Sequence, residues 1–303
     1  MISICIPVYN TNITSLVSDL SKQIQAENFE AEIRIYDDHS TKYQKENRTI
    51  ITLPNVIYKE MPKNLGRSAI RNLLAADSKG NSILFIDGDM QVVSDDFVKK
   101  YYSYHNTEQV VCGGITMSSK LPDPALTLRW NYGIKRETTP AEKRELNPYS
   151  SLMTGNIMFP KSLLIENPFD ENIAGYGHED TKMGFQLSKL KYPIVHIDNA
   201  LLHSGLENSS DFLSKTEIGI KNLILLWHRM ECDLDFAKFV RLLKNLKKYN
   251  NFIFRFLVTI FFSIFGNKIQ KNLTGPNPNL FYFDLYKFYF AVKTNKSLNK
   301  SNI

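Results

Sequence analysis

The sequence predicts a mostly parallel α/β sheet with helices on both faces, followed by a helical C-terminal region of different character. Three observations predict it. Short apolar runs alternate with stretches of helical apolar spacing through the N-terminal third, polar and acidic residues stand just past those runs, and the charge balance reverses near the C-terminus. In order, ISICIP (Ile2 to Pro7) reads as a strand, Ile13 to Ile24 as a helix, AEIRIY (Ala31 to Tyr36) as a strand, and NVIYKE (Asn55 to Glu60) as another. Arg67 to Ala76 then reads as a helix and SILFI (Ser82 to Ile86) as a strand. Such alternation favours parallel strands joined by short, right-handed crossovers.

The chain has 303 residues, 43% of them hydrophobic, enough for one large domain or one domain and an appendage. Its three cysteines, Cys5, Cys112 and Cys232, are widely spaced without a CxxC. Neither a disulfide framework nor a zinc site is expected, and a reducing compartment fits. MISICIPVYN has no basic region before its brief apolar run, so no signal peptide is expected and the sequon at Asn47 carries little weight. Residues 1–240 hold 26 Lys/Arg against 30 acids, whereas 241–303 hold eleven against one, Asp284. An acidic body with a basic, aromatic tail points to an anionic membrane surface and away from nucleic acid.

In parallel sheets, ligands bind outside the carboxyl ends of the strands. The polar residues there are Tyr9 and Asn10, Asp37 and Asp38, and Asp87 and Asp89. The first turn, PVYNTN, lacks the glycines of a dinucleotide site, and no P-loop occurs. A phosphate ligand among aspartates requires a cation, and Asp87-Gly88-Asp89 offers hard oxygen ligands for Mg²⁺ or Mn²⁺. Asp and Gly also suit a plain turn. An EF-hand is excluded because Met90, Gln91 and Val92 break its pattern.

Six segments together settle between a plain turn and a site. ICIPVYN, IYDDHS, NLGRSAIRN, FIDGDM, TGNIMF and GYGHEDTKMGFQL occur in that order. In this set the chain resembles the glycosyltransferase family 2 enzymes, which have the GT-A fold, as far as about Gly205. GYGHED is similar to the segment in galactosyltransferase-like and chondroitin-polymerase-like members. The resemblance implies a metal-dependent inverting transfer from a nucleotide-diphosphate sugar to a glycan or glycolipid hydroxyl. It also implies roles. Asp89 is the direct metal ligand in the DxD motif, Asp87 faces the ribose or the metal, and Pro7, Tyr9 and Asp38 hold base and ribose. Asp37 is an alternative structural residue.

Uracil is the expected base, because its imide N–H suits a carboxylate acceptor. Arg67, at a helix start, is expected to point its guanidinium at the nucleotide, a role that suits arginine. Glu179 and Asp180 precede an amphipathic stretch, Thr181 to Leu190, so they fall at a helix N-terminus, where a capping role competes with catalysis. Asp180 is the expected base that takes the acceptor proton, and Glu179 orients the acceptor or braces the loop. Gly175 and Gly177 suggest a loop that closes over bound donor. The resemblance implies His203 as the second metal ligand, with His196 as competitor; a nitrogen ligand favours Mn²⁺ over Mg²⁺.

Beyond Gly205 the pattern changes. Phe236, Phe239, Val240, Leu243 and Leu246 lie opposite Lys238, Arg241, Lys244, Lys247 and Lys248, as in a basic amphipathic helix. The run from Phe252 to Gly266 contains Arg255 and is shorter than the roughly 20 residues that span a bilayer, so an in-plane or re-entrant element is expected. The expected division is a GT-A catalytic domain over 1–207 and a helical region over 208–303, on a cytoplasmic enzyme peripheral to the inner face of the cell membrane. The alternative is a non-catalytic module that binds nucleotide or glycan within a polysaccharide-assembly complex.

Overall fold

A computed structural model describes residues 1–173, 175–249 and 251–301. The chain divides into two compact units. The first comprises Met1–Ser118, Glu137–Asn172 and Lys182–Gly205; the second comprises Ser119–Arg136, Ile173–Thr181 and Leu206–Ile303.

The first unit is built on strands β1 (Ile2–Val8), β2 (Ala31–Asp37), β3 (Val56–Glu60), β4 (Ser82–Ile86), β5 (Met90–Gln91), β6 (Val110–Cys112), β7 (Ile115–Thr116), β8 (Asn156–Pro160), β9 (Ile194–His196) and β10 (Leu201–His203). Seven form the main sheet, in the order β3-β2-β1-β4-β8-β6-β9. β1 pairs parallel with β2 and β4, placing Ile4 beside Ile33 and Leu84, and only β8 runs antiparallel to its neighbours. Ile2, Ile4, Cys5 and Ile6 of β1 are fully buried, which is why this strand reads as a continuous apolar run. One core cluster joins Phe85, Phe159 and Phe169 to Ile70 and Leu74 of the helix Arg67–Asp77 and to Met183 and Leu187 of the helix Glu179–Leu190.

From β1 the chain builds outward through β2 and β3 on one side, and β4 lies on the other. The crevice outside the carboxyl ends of β1 and β4 is therefore a topological switch point. Beside it, β5, β10 and β7 form a small second sheet in that order.

The second unit is helical over Ser209–Arg229, Leu234–Phe239, Arg241–Lys248, Phe252–Leu273 and Leu280–Ser301. Asn208, Asp233 and Asn251 cap the first, second and fourth of these by accepting from the amides of Asp211, Phe236 and Phe254. The single basic helix expected around Leu243 is instead two. Val240 takes an extended conformation between them (φ −99°, ψ 112°), and Phe236 and Ala237 on one side and Leu243 and Leu246 on the other are all buried. The apolar run from Phe252 lies within a helix of 22 residues, longer than the run itself. By length and composition, Ile253–Leu273 is the one helix among the described residues that could cross a membrane.

Candidate active site

The site of the first unit starts from the turn after β4. Gly88 needs its small size there: a Cβ would lie 3.2 Å from Ile13 and 3.5 Å from the Pro7 carbonyl, so this turn stands directly against the one that follows β1. Asp87 and Asp89 flank that glycine. The Asp87 amide donates to Gly155 O (3.2 Å), and Asp87 Oδ1 accepts from the guanidinium of Arg71 at 2.7 Å. Arg71 is 1% exposed, stacks over Phe169 with its guanidinium carbon 5.9 Å from the ring centre, and comes from the helix that Arg67 opens. Burial by itself would raise the Asp87 pKa; the charges of Arg71 and Arg67, the hydrogen bond from Arg71 and the field of His203 together hold it below the usual carboxylate range.

Asp89 is placed by the small sheet. Its carbonyl accepts from the amides of Ser204 (3.0 Å) and Gly205 (3.2 Å), and β5 pairs with β10 so that Met90 lies opposite His203. His203 Nε2 consequently stands 3.3 Å from Asp89 Oδ2. Gly205 permits this approach, since a Cβ there would lie 2.4 Å from that of Asp89. Asp89 Oδ1 is buried without a hydrogen-bond partner among the described residues. A buried, unsatisfied carboxylate oxygen is costly unless a cation or donor reaches it. This oxygen and the imidazole beside its partner oxygen fit one divalent ion, as hard carboxylate and borderline nitrogen ligands. No group of three or more His, Cys, Asp or Glu suited to a metal occurs among the described residues. With Asp89 and His203 as its protein ligands, such an ion would be free to act on substrate oxygens as well.

The other expected contacts differ in their engagement. Asp37 is fully buried, and its oxygens accept from the Ser40 amide (2.6 Å) and the Tyr58 hydroxyl (2.9 Å), a bracing role. Asp38 is 5% exposed; Oδ1 accepts from Leu65 N (2.6 Å) and Oδ2 from Gly66 N (2.9 Å), so it ties the end of β2 to the start of the Arg67 helix. Each of those oxygens retains a second lone pair for a ligand donor. Pro7 is half-buried in β1, while Tyr9 is 56% exposed just beyond it, an aromatic surface at the mouth of the crevice. His196, the competitor to His203, is buried in the sheet and engaged by Arg144 (3.0 Å) and the Pro148 carbonyl (3.0 Å).

Glu179 and Asp180 lie in the second unit, in the first turn of the helix Glu179–Leu190. Glu179 is 4% exposed. Asp180 Oδ1 accepts from the Thr181 amide at 2.6 Å, which orients the carboxylate at the positive end of the helix. The preceding loop has positive φ at Gly175, Gly177 and His178 (81°, 87° and 76°). It rests on the helix Ser209–Arg229, where Asn222 donates to Tyr176 O (3.0 Å) and Gly219 lies against Tyr176 and His178. Burial drives the His178 pKa down to about 4 against the opposing charge of Glu179.

Sequence reasoning missed Arg71, Gly155 and Gly205. Arg71 carried a usable signal, because it falls one turn after Arg67, on the same helix face. The two glycines carried none, since their role is the close approach of distant segments.

Two consequences are testable. Arg71→Gln leaves Asp87 without its buried partner and is expected to lower stability by about 3 kcal/mol, the lower end for breaking a buried pair because Asp87 keeps some solvent. Urea unfolding of the two proteins measures this, and an unchanged midpoint would refute the pairing. His178 is neutral in the fold but protonated in the unfolded chain between about pH 4 and about pH 6.5. The unfolded state therefore binds more protons there, and stability falls as pH drops through that window. His178→Asn, which tolerates positive φ, is expected to remove about 1 kcal/mol of this acid sensitivity, after discounting for partial solvent access. Equal slopes of unfolding free energy against pH would count against it.

Comparison with known proteins bears on the same residues. The family model described as glycosyl transferase family 2 matches residues 3–166, which hold β1 to β8. No curated protein gives a significant match. Among solved structures, the mannosyltransferase PcManGT from Pyrobaculum calidifontis, in complex with GDP-Man and Mn²⁺, is similar with a TM-score of 0.57 at 13% identity, over 97% of this chain and 86% of that one. The S. aureus TarS fragment 1–349 is similar with a TM-score of 0.50 at 18% identity, over 99% and 91%. The alignment to the longer S. aureus TarS chain has a TM-score of 0.46 at 22% identity, includes 74% of this chain and spans only 39% of that one. At these identities the likeness is one of fold. The family match, by contrast, extends over more than half of the sequence, and the chain accordingly belongs to glycosyl transferase family 2, as a glycosyltransferase built on the GT-A fold.

Proposed function

We propose that the protein transfers a sugar, with inversion, from a nucleotide-diphosphate donor to a hydroxyl of a glycan or lipid-linked glycan, and that the donor is a UDP-sugar. The observation that carries this reading is the Asp89–His203 pair with its buried, unpartnered Oδ1, at the switch point of a family 2 chain. Mn²⁺ and a nucleotide sugar bound together in the mannosyltransferase of similar fold support it.

In this reading Tyr9, Pro7 and Asp38 receive base and ribose. Arg67 faces the diphosphate, and Arg71 keeps Asp87 ionised and aimed at the ribose or the cation. A divalent ion, Mn²⁺ or Mg²⁺, held by Asp89 and His203 would act as a Lewis acid toward the diphosphate oxygens. The acceptor oxygen forms a bond to the anomeric carbon from the face opposite the leaving group. The bond from that carbon to the phosphate oxygen breaks, and the diphosphate leaves with the electron pair. Asp180 takes the acceptor's proton as the new bond forms, and Glu179 braces the loop that presents it.

Incubation of the purified chain with a panel of UDP-, GDP- and other nucleotide sugars, with and without Mn²⁺, tests the donor. Hydrolysis of a UDP-sugar that needs the metal is expected; hydrolysis of GDP-mannose alone would overturn the choice of base. Asp89→Ala is expected to abolish turnover and metal-dependent UDP binding, and unchanged Mn²⁺ affinity by calorimetry would remove Asp89 from the metal site. Asp180→Asn is expected to retain donor affinity while transfer falls by about two to four orders of magnitude. Near-normal transfer by that variant would assign the base to another residue.

A further inference from the structure

The helix Phe252–Leu273 has two apolar faces, and only one of them is used inside the second unit. Phe262, Ile269 and Leu273 are buried in a core with Leu128, Phe212, Phe283 and Tyr286, and Phe262 stacks on Tyr289 with centroids 4.2 Å apart. Ile253, Phe256, Leu257, Ile260 and Ile264 are instead 40–70% exposed. At 3.6 residues per turn these five fall in a band roughly 100° wide, and the buried three centre roughly 180° away. Phe261 and Phe265, 38% and 41% exposed, widen the band on one side. So large a contiguous apolar surface marks a partner site.

Charge identifies the partner. From Arg241 to Asn279 the chain has seven Lys/Arg and no acid. Arg241, Lys244, Lys247 and Lys248 are exposed on the short helix that precedes the apolar band, with the half-exposed ring of Tyr249 after them, and Lys268 and Lys271 are exposed beyond its other end. Among the described residues none of these six cations forms an ion pair. An apolar band flanked by unneutralised cations matches a bilayer surface rich in anionic headgroups.

The same facts decide between lying on the bilayer and crossing it. The exposed apolar band ends at Phe265, after which Asn267, Lys268, Gln270 and Lys271 face outward, so it extends for roughly 20 Å at 1.5 Å per residue, short of the roughly 30 Å hydrocarbon core. The opposite face is packed on a helix whose Asp284 pairs with Lys287 and with Arg136, both at 2.9 Å. A crossing would carry those ion pairs to hydrocarbon depth, where charged groups are expensive.

We infer that the helix Phe252–Leu273 is an in-plane membrane anchor: its Ile253–Phe265 band enters the anionic inner leaflet of the cell membrane, and the flanking lysines and arginines bind lipid phosphates. The inference is independent of the donor, the metal and the base.

The test uses the full chain with phosphatidylcholine vesicles, with and without phosphatidylglycerol. Parent protein is expected to float with the anionic vesicles, and to be partly released by salt and fully released by alkaline carbonate. Ile260→Asp/Ile264→Asp, at exposed positions that leave the packed face intact, is expected to weaken binding by about tenfold or more while donor hydrolysis and the circular dichroism spectrum stay unchanged. Lys244→Glu/Lys247→Glu is expected to abolish the preference for anionic lipid. Absence of flotation by the parent, or equal flotation by the Ile260→Asp/Ile264→Asp variant, overturns the proposal. Resistance to carbonate would make the helix a spanning segment and overturns the in-plane reading. A parent dimer by light scattering that the aspartate variant dissociates, without flotation, assigns the face to a second copy of the chain instead.

Discussion

Two carboxylates held on one tight turn repel each other, and the site of the first unit depends on how that repulsion is met. For Asp87 it is met inside the protein, by the guanidinium of the almost fully buried Arg71. Its charge is thereby neutralised before any ligand arrives. For Asp89 the protein stops short: His203 stands beside one oxygen, and the other oxygen is buried without a hydrogen-bond partner among the described residues. The two residues of the motif thus do different work. One is a fixed anion that organises its surroundings, and the other is the candidate ligand, whose buried oxygen a cation would relieve.

The position of that ligand is set far from it. β10 must arrive beside β5 for His203 to meet Asp89, and the approach to β10 runs past Arg144, which is 3% exposed. Its guanidinium donates to the carbonyls of Cys112, Gly113, Thr139 and Ile197, joining the ends of β6 and β9. Burial lowers its pKa, the charges of Asp198 and Glu145 oppose that shift, and the convergent carbonyl dipoles solvate the cation. Gly113 and Gly114 have no room for a side chain here: a Cβ on Gly113 would meet Asn156 Nδ2 and the Tyr101 hydroxyl at 2.5 Å, and one on Gly114 would meet Arg144 at 2.8 Å. A polar knot of this kind fixes one chain path, because a partly satisfied version would cost more than an apolar core.

How much of this was legible follows from the range of the forces involved. β1, β2, β3 and β4 lie within two residues of the runs read from the sequence; β1 and β4 are buried and nearly apolar throughout, whereas β2 sets Ile33 and Ile35 between Glu32, Arg34 and Tyr36, and β3 is an edge strand with Lys59 exposed. The clustering of Asp38, Asp87 and Asp89 near one sheet edge followed from parallel topology. β8 was not legible as an antiparallel member of the sheet, since nothing in NIMFP sets strand direction. The break at Val240 was equally hidden: the spacing from Phe236 to Leu246 suits one helix, and only tertiary burial on both sides of the bend divides it. The helix from Phe252 was read too short for the opposite reason, because Asn267, Lys268, Gln270 and Lys271 dilute the apolar signal without interrupting the backbone ladder.

The acceptor-side carboxylates show where local physics and chemistry meet. A helix N-terminus favours the charged form of a carboxylate, the form a base must have before it can take a proton. The Thr181 amide fixes one oxygen of Asp180 and so helps to orient the group. The loop before it reaches that helix start through three residues of positive φ, Gly175, Gly177 and His178, and its carbonyl at Tyr176 is tied to Asn222. Glycine makes the first two inexpensive, whereas the positive φ at His178 carries strain that the surrounding packing must sustain. A residue kept in such a conformation, with its imidazole driven neutral by burial, removes a competing cation from beside Glu179 and Asp180. The helix end then favours the charged form of Asp180, the form in which it is proposed to take the acceptor's proton.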